Sequence, residues 1–368
     1  MAPVLSSELI NEIESVTKQI TMLSPETIPM ITLLGFSENI AIATEHSWFE
    51  DEMYQMASNL DGEIATAGDT EMTVNDAEPF RKDQVVKIDD ELILITDFVV
   101  ATNVATITRG YAGTSASAHD DDAAVEVQFN KSVEGADARA ARRKQKVKKS
   151  NYTQIFDDTI DISGTAQQVS TIGIDDLYEE EKQKKQKELA IQLDKACIGG
   201  VKYDDGTDTR YFGGIRNTIV TNVLAGGGTA ITNARLNEMV KSVWDAGGFE
   251  SGGRYVFLVP ANQLSRVRAL DENGRSYEQR SEAAGARIGT FISDLVGDIT
   301  VLPNKNLSTS EIFLIDLDRL EIMALKGRSF FHQYLGKVGD SETGQVIGEY
   351  TLKMSQEKAH AKAVNLLA

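Results

Sequence analysis

The sequence predicts an α+β protein in which a small all-β domain is inserted into a larger mixed fold. The first observation is a series of short β-rich runs at residues 71–129, separated by turn sequences such as "DD" and "GYAGT", a spacing typical of a small barrel or sandwich. The second is a long charged helix at residues 175–198. The third is the alternation of strand and helix patterns after residue 230, which indicates a mixed fold.

Composition places the chain among soluble globular proteins, since 41% of its 368 residues are hydrophobic and 25% are charged. No apolar run is long enough for a membrane span, and the first residues lack the basic and apolar blocks of a signal peptide. The single cysteine, Cys197, cannot form a disulfide within the chain. The net charge of −19 disfavours nucleic-acid binding by the chain as a whole, because phosphate contacts need positive surface.

The first half of the chain contains two predicted helices. Residues 5–23 carry apolar side chains at three- and four-residue spacings, which predicts an amphipathic helix. The following "MITLLGF" is a short apolar anchor that ends at Gly35. In the helix at 175–198, acids at the start suit the helix dipole, Gly199 supplies the C-terminal cap, and Cys197 lies on the apolar side as a small core residue.

The second half alternates between helices and strands. A helix capped by Thr232 or Asn233 presents one apolar face, made of Leu236, Met239, Val240, Val243 and Trp244. "RYVFLVP" is predicted to be a buried strand, and short strands follow at "DITVLP", "EIFLIDL" and "LEIMAL". The tail, "GQVIGEYTLKM", is predicted to be a long strand whose alternate residues from Val346 to Met354 share one face.

The acidic segment "NYTQIFDDTIDIS", residues 151–163, alternates as a strand does. Strand geometry places Asp157 and Asp161 on one face and Asp158 on the other. The segment is longer than a usual strand and is not strongly hydrophobic, which favours a strand that projects from its domain. These three carboxylates therefore cannot converge on one metal ion without a bulge in the strand.

The segment "ARAARRKQKVKK", residues 138–149, gathers seven positive charges in an acidic protein. One interpretation is an arm that binds nucleic acid. The other is a solvated face, or a face that meets an acidic surface on a partner. The second is favoured because neither aromatic residues nor a base-reading motif accompany the charges.

The sequence contains none of the catalytic patterns tested. The histidines lie far apart without a second ligand at metal-binding spacing, and no phosphate-binding loop or nucleophile elbow is present. A metal-dependent enzyme that uses the acids of "WFEDE" and "FDDTID" is one hypothesis for the function.

Seven stretches resemble, in order, the major capsid proteins of tailed bacteriophages with the Hong Kong 97-like fold. They are "PETIPMITLLG", "EHSWFEDEM", "NYTQIFDDTIDISGTAQQV", "KELAIQLDKACIGG", "RYFGGI", "YVFLVPANQLSRV" and "GEYTLKMSQEKAHA". The chain is most similar to a subgroup with a β-rich insertion that carries a segment like "TITRGYAGTSASAH". A nanocompartment shell of the same fold, similar to encapsulins, is the alternative.

The resemblance implies a division of the chain into five parts. These are an N-terminal arm (1–42), an extended β-hairpin loop (43–70 and 130–170), an inserted β-domain (71–129), a peripheral domain with a long spine helix (171–229 and 321–368), and an axial domain (230–320). In this arrangement the last strand returns to the peripheral domain through Ala363. Few residues precede "PETIP", so any scaffold is expected to be a separate protein or to have been removed already.

The resemblance further implies assembly rather than catalysis, with no cofactor and no metal. The expected partners are other copies in pentamers and hexamers of a shell, together with a scaffold, a portal and a decoration protein. Double-stranded DNA would be enclosed without sequence-specific binding, no membrane would be involved, and shells would form in the bacterial cytoplasm before release as virions. The candidate inter-subunit contacts are Trp48, Arg139, Arg142, Arg143, Lys144, Asp157 and Asp161.

Overall fold

A computed structural model describes residues 28–169, 176–251, 253–270 and 289–367. The chain divides into two compact units, one of residues 1–48 and 148–368 and one of residues 49–147, and we call them the main unit and the inserted unit. The predicted helix at 5–23 and most of the predicted arm lie outside the described residues. The mixture of helices and several sheets confirms the α+β class.

Helices and strands are numbered in chain order. The helices are α1 (Pro29–Leu34), α2 (Gly164–Gln168), α3 (Leu177–Gly199), α4 (Ile215–Thr218), α5 (Asn233–Asp245) and α6 (Ala261–Ala269). The strands are β1 (Phe36–Ala41), β2 (Glu45–Glu50), β3 (Ala57–Asn59), β4 (Glu71–Thr73), β5 (Gln84–Ile88), β6 (Glu91–Val99), β7 (Val104–Thr108), β8 (Ala124–Asn130), β9 (Val147–Tyr152), β10 (Gln154–Ser163), β11 (Tyr203–Asp204), β12 (Arg210–Tyr211), β13 (Val223–Ala225), β14 (Tyr255–Val259), β15 (Gly289–Ser293), β16 (Gly297–Pro303), β17 (Ile312–Asp316), β18 (Leu320–Leu325), β19 (Phe331–Val338), β20 (Ser341–Met354) and β21 (Ala361–Val364). Within the described ranges no helix is both long and apolar enough to cross a membrane.

The first sheet of the main unit has the order β1-β18-β20-β10, and β19 also pairs with β20. Helix α3 packs against this sheet through Leu189, Leu193 and Cys197. All three are fully buried, as predicted for Cys197. On β20 the alternate residues from Val346 to Met354 are all buried, as the period of two predicted. Burial also raises the pKa of the Cys197 thiol, which suits a core residue.

The predicted single strand from Asn151 to Ser163 is wrong. The structure breaks it at Thr153, whose backbone N–H donates to the Thr44 carbonyl (2.8 Å) and whose hydroxyl donates to Glu349 (2.6 Å). Before the break β9 pairs with β2, and after it β10 pairs with β20. Strand β10 therefore lies in the first sheet of the main unit instead of projecting from its domain.

Helix α3 begins one residue after Asp176, whose carboxylate accepts hydrogen bonds from the backbone N–H groups of Tyr178 (2.9 Å) and Glu179 (3.1 Å). At the other end the cap is Gly200 instead of Gly199, and its backbone is not left-handed, with φ at −54°. A Cβ on Gly200 would lie 2.5 Å from the Phe212 carbonyl oxygen. Glycine is therefore needed at this position because the Phe212 backbone lies so close, and not because the cap is left-handed.

The second sheet has the order β13-β21-β17-β14-β16-β15. Strand β14 at its centre is buried throughout, as predicted. Helix α5 is capped by Thr232 and buries the predicted apolar face except for Trp244, which is 50% exposed. Ala363 lies in the second sheet, on strand β21, which pairs with β13 and β17. A 3-10 turn at Glu357–Ala359 separates it from β20.

His360, which lies immediately before β21, is fully buried. The Nδ1 atom of its side chain accepts a hydrogen bond from the Asp316 backbone N–H (3.1 Å). Burial lowers the pKa of His360 from 6.5 to about 4. Because the unfolded chain binds this proton more readily, its contribution to stability is complete above pH 6.5 and is lost as pH falls toward 4.

We therefore expect acidification across this range to cost up to ~3 kcal/mol at His360. In His360→Asn the side-chain oxygen can still accept from Asp316, but no proton is taken up. Urea unfolding at several pH values should show a smaller acid-induced loss of stability in the variant. Parallel pH profiles for the two proteins would refute the assignment.

The inserted unit is a six-stranded antiparallel sheet in the order β3-β8-β5-β6-β7-β4. Its ends are joined by the Leu60–Val74 bridge and by hydrogen bonds from Asn75 N–H to the Asn59 carbonyl and from Asp61 N–H to the Thr73 carbonyl, both 2.9 Å. The sheet thus closes into a small barrel, which removes its exposed edges. A core of aliphatic side chains fills it, including Val86, Ile93 and Ile95. The inserted unit, residues 49–147, comprises a longer stretch of the chain than the insertion predicted at 71–129.

Candidate inter-subunit surfaces

Strands β2 and β9 form a two-stranded ribbon within the segments predicted to make the extended loop. Trp48 lies on β2, half-buried, with its ring stacked on that of His46 at a centroid distance of 6.0 Å. Three large apolar side chains follow in sequence and are exposed, namely Phe49 (71%), Met53 (87%) and Met56 (60%). Such a concentration of exposed apolar surface is typical of a contact with another protein.

The basic segment at 139–149 finds acids within the inserted unit. Lys144 Nζ lies 2.6 Å from a Glu78 carboxylate oxygen and 3.2 Å from one of Glu52. The hydrogen bond with Glu78, followed by that with Glu52, raises the pKa of Lys144. Lys146 lies 3.7 Å from Asp51. Two members of the "WFEDE" segment, Asp51 and Glu52, therefore face the basic segment of their own chain.

The three arginines of this segment differ in their surroundings. The Arg142 guanidinium lies over the Tyr54 ring, 4.1 Å from its centroid, and donates to the carbonyls of Glu78 (3.3 Å) and Pro79 (3.1 Å). Arg139 is exposed and donates to the Lys131 carbonyl. Arg143 is exposed. Arg139 and Arg143 are thus both accessible to another molecule, and within the described ranges Arg139 is the one of these two that is tied to its own chain by a hydrogen bond.

The carboxylates of β10 lie on opposite faces, as predicted. Asp157 and Asp161 are exposed, and they accept hydrogen bonds from Gln345 (3.0 Å) and Thr343 (3.4 Å) on β20. Asp158 instead faces α3, where its carboxylate lies 3.1 Å from Lys185 Nζ. Phe156 and Ile160, on the same face as Asp158, are buried. Within the described ranges no three His, Cys, Asp or Glu side chains are grouped so as to hold a metal ion.

Sequence reasoning missed a buried charge network in the inserted unit. The Glu91 carboxylate accepts hydrogen bonds from Arg109 Nε (2.8 Å) and Nη2 (2.7 Å), from the backbone N–H groups of Gly110 (2.8 Å) and Ser117 (3.1 Å), and lies 3.0 Å from His119 Nε2. Burial alone raises the pKa of Glu91, but these hydrogen bonds outweigh it and lower the pKa to about 2. The segment "TRGYAGTSASAH" was the one signal in the sequence that could have indicated this network, since it contains Arg109, Gly110, Ser117 and His119.

A comparison with protein families matches residues 4–367 to the family described as SU10 major capsid protein. A comparison with curated protein sequences gave no match. Among solved structures, the capsid of Myoviridae phage XM1 is similar over 99% of this chain and 99% of its own, at 11% identity and a TM-score of 0.53. The capsid of an empty GTA particle is similar over 96% and 95%, at 12% identity and a TM-score of 0.54.

The SrpI encapsulin of Synechococcus elongatus PCC 7942 is similar over 60% of this chain and 78% of its own, at 12% identity. Its TM-score of 0.47 is too low to carry an argument. At these identities the phage XM1 and GTA capsids show a shared fold alone. The family match is therefore the comparison that bears on function, and it covers nearly the whole sequence.

Proposed function

This chain belongs to the SU10 major capsid protein family, and from that premise we propose that its copies form a closed icosahedral shell around the double-stranded DNA of a tailed phage. The protein is a shell-forming structural component of a virion. The observation that carries this conclusion is the family match from residue 4 to residue 367. The nanocompartment alternative has no support of this kind.

We assign the contacts between copies to two surfaces. One is the apolar segment with Phe49, Met53 and Met56, whose exposure in a single chain is costly unless another copy covers it. The other is the exposed part of the basic segment, in particular Arg143. Each contact can be weak, because a closed shell repeats it many times and each copy touches several neighbours.

The charge of the chain supports a container for DNA. At −19, the protein would not hold packaged DNA by non-specific phosphate contacts, so the DNA could slide during packaging. The same charge makes separate copies repel one another at long range. Salt should therefore favour assembly, because it shortens the range of this repulsion to ~10 Å at 0.1 M.

The remaining expectations are also part of this proposal. The protein acts by assembly and not as an enzyme, and neither a cofactor nor a metal is needed. A separate scaffold, a portal and a decoration protein would complete the particle, which would assemble in the bacterial cytoplasm. The division into arm, extended loop, insertion, peripheral domain and axial domain stays a prediction, with Asp157, Asp161 and Trp48 as further candidate contacts.

A charge reversal tests the basic surface. We expect Arg143→Glu to slow shell formation at least tenfold while leaving the unfolding temperature within about 2 °C of the original, because the side chain is exposed. Arg142→Glu is less informative, since Arg142 also packs on Tyr54 within the chain. Light scattering after a salt jump would measure the rate of assembly.

The matched control is Lys87→Glu, which makes the same change in net charge at an exposed position on β5. We expect this variant to assemble at a rate close to that of the unmodified chain. Equal assembly rates for Arg143→Glu and Lys87→Glu would mean that Arg143 does not contribute a specific contact. That result would leave the proposal that the protein forms a shell untouched.

A further inference from the structure

A cavity of about 850 Å³ lies within the inserted unit, beside the start of the basic segment. Four cationic side chains line it, namely Arg81, Lys131, Arg139 and Arg142. Two acids, Asp83 and Asp137, also line it. The lining therefore carries a net charge of two positive units, in a chain whose overall charge is −19.

The three arginines have no carboxylate partner among the described residues. Arg81 Nη2 donates to the side-chain oxygen of Asn130 (3.3 Å), Arg142 donates to two backbone carbonyls, and Arg139 donates to the Lys131 carbonyl. All these acceptors are neutral. Neither Asp83 nor Asp137 forms an ion pair with them within the described ranges. The positive charge around the cavity is thus held in position without being neutralised.

Arg81 is held in an energetically unfavourable environment at this cavity. Its Nε atom is buried and has no hydrogen-bond partner among the described residues, which is unfavourable for a charged group. Burial, followed by repulsion from Arg142 and Arg139, lowers the pKa of Arg81. Three guanidinium groups close enough to repel one another are typical of a site completed by an anion.

We propose that this cavity binds a free oxyanion of the phosphate class. A dianion such as hydrogen phosphate matches the two net positive charges of the lining. Guanidinium groups donate paired hydrogen bonds to phosphate oxygens, and their planar geometry suits such ligands. A single carboxylate from a second copy would neutralise only one of the two charges, so a free dianion is the better occupant.

Calorimetric titration of the full chain with inorganic phosphate tests the proposal, with chloride used to keep the ionic strength constant. We expect saturable binding that weakens at least tenfold in the double variant Arg81→Gln with Arg139→Gln. Arg139→Gln alone should weaken binding several-fold. Since Arg139 is exposed, this single change leaves the fold intact and keeps the test valid if the double variant is unstable.

The control is Arg143→Gln, which removes a positive charge from the same segment but does not line the cavity. Phosphate should bind this variant normally and should raise its unfolding temperature as it does for the unmodified chain. Absence of saturable binding to the unmodified chain would overturn the proposal, as would equal affinity in the control and the double variant. The readout is binding to the chain itself and does not depend on shell formation.

Discussion

Replacement of Glu91 by alanine is expected to destabilise the inserted unit by about 3–5 kcal/mol, the cost of removing one partner from a buried ion pair. The Glu91 side chain is fully buried, and the Arg109 side chain is 6% exposed. Without the carboxylate, the Arg109 guanidinium, the His119 ring and the N–H groups of Gly110 and Ser117 would lose their shared acceptor. The segment from Gly110 to His119 would then be held less firmly to β6, although the hydrogen bond from the Leu92 N–H to Thr114 (3.1 Å) would remain.

Hydrogen exchange followed by mass spectrometry on the full chain would measure this effect in the affected segment. We expect protection to fall across residues 104–119, while protection of α3 in the main unit stays unchanged. Glu126→Ala is the control, because Glu126 is exposed on β8 of the same barrel and its loss should change stability by less than ~0.5 kcal/mol. Similar exchange in the two variants would show that the network does not hold the segment.

The second large effect is expected at Asp194 on α3. Its Oδ1 atom accepts hydrogen bonds from the backbone N–H groups of Met30 (2.7 Å) and Ile31 (3.0 Å), and Oδ2 accepts from the Asn306 side chain (2.6 Å). These N–H groups belong to the first turn of α1, where Pro29 supplies none and Ile28 provides no side-chain cap. Asp194 thus replaces the missing local cap of a helix about 160 residues away in sequence.

We expect Asp194→Ala to lower the free energy of unfolding by about 2–4 kcal/mol, since buried donors are left without an acceptor. Burial raises the pKa of Asp194, which means that the charged carboxylate is itself costly to bury. The loss of stability in Asp194→Ala should therefore be smaller than the summed energies of the three lost hydrogen bonds. Asp194→Asn should cost less, because its amide oxygen can still accept from Met30 and Ile31. Urea unfolding with exchange measured at residues 29–35 would test both variants.

The matched control is Glu188→Ala, which removes an exposed acid from the same helix. Glu188 pairs with Lys185 at the surface, and such pairs contribute little. If Asp194→Ala were no less stable than this control, the carboxylate would not be the cap of α1.

Local periodicity was sufficient for the elements that depend on nearby residues. Helix α3, the buried strand β14 and the buried face of β20 were predicted because their patterns repeat within one element. The opposite orientation of Asp157 and Asp158 followed from strand geometry in the same way. Family resemblance, rather than any single motif, supplied the function.

Contacts between distant segments were beyond such reasoning. Thr153 ends a strand because its partners, Thr44 and Glu349, lie elsewhere in the chain. Lys144 pairs with Glu52 and Glu78, which lie 92 and 66 positions away in the sequence, so its spacing to them gave no signal. Lys185 was not predicted to pair with Asp158 on β10. In each case the deciding partner is set by tertiary structure, which residue spacing does not report.

Electron microscopy of the purified full chain, concentrated in buffered salt, tests most directly the claim that this protein forms a shell. We predict closed particles of uniform size, accompanied by pentamers and hexamers. Higher salt should increase the fraction of closed particles, because it screens the net charge of −19. A field of monomers alone, unchanged by salt, protein concentration or crowding agents, would contradict the claim.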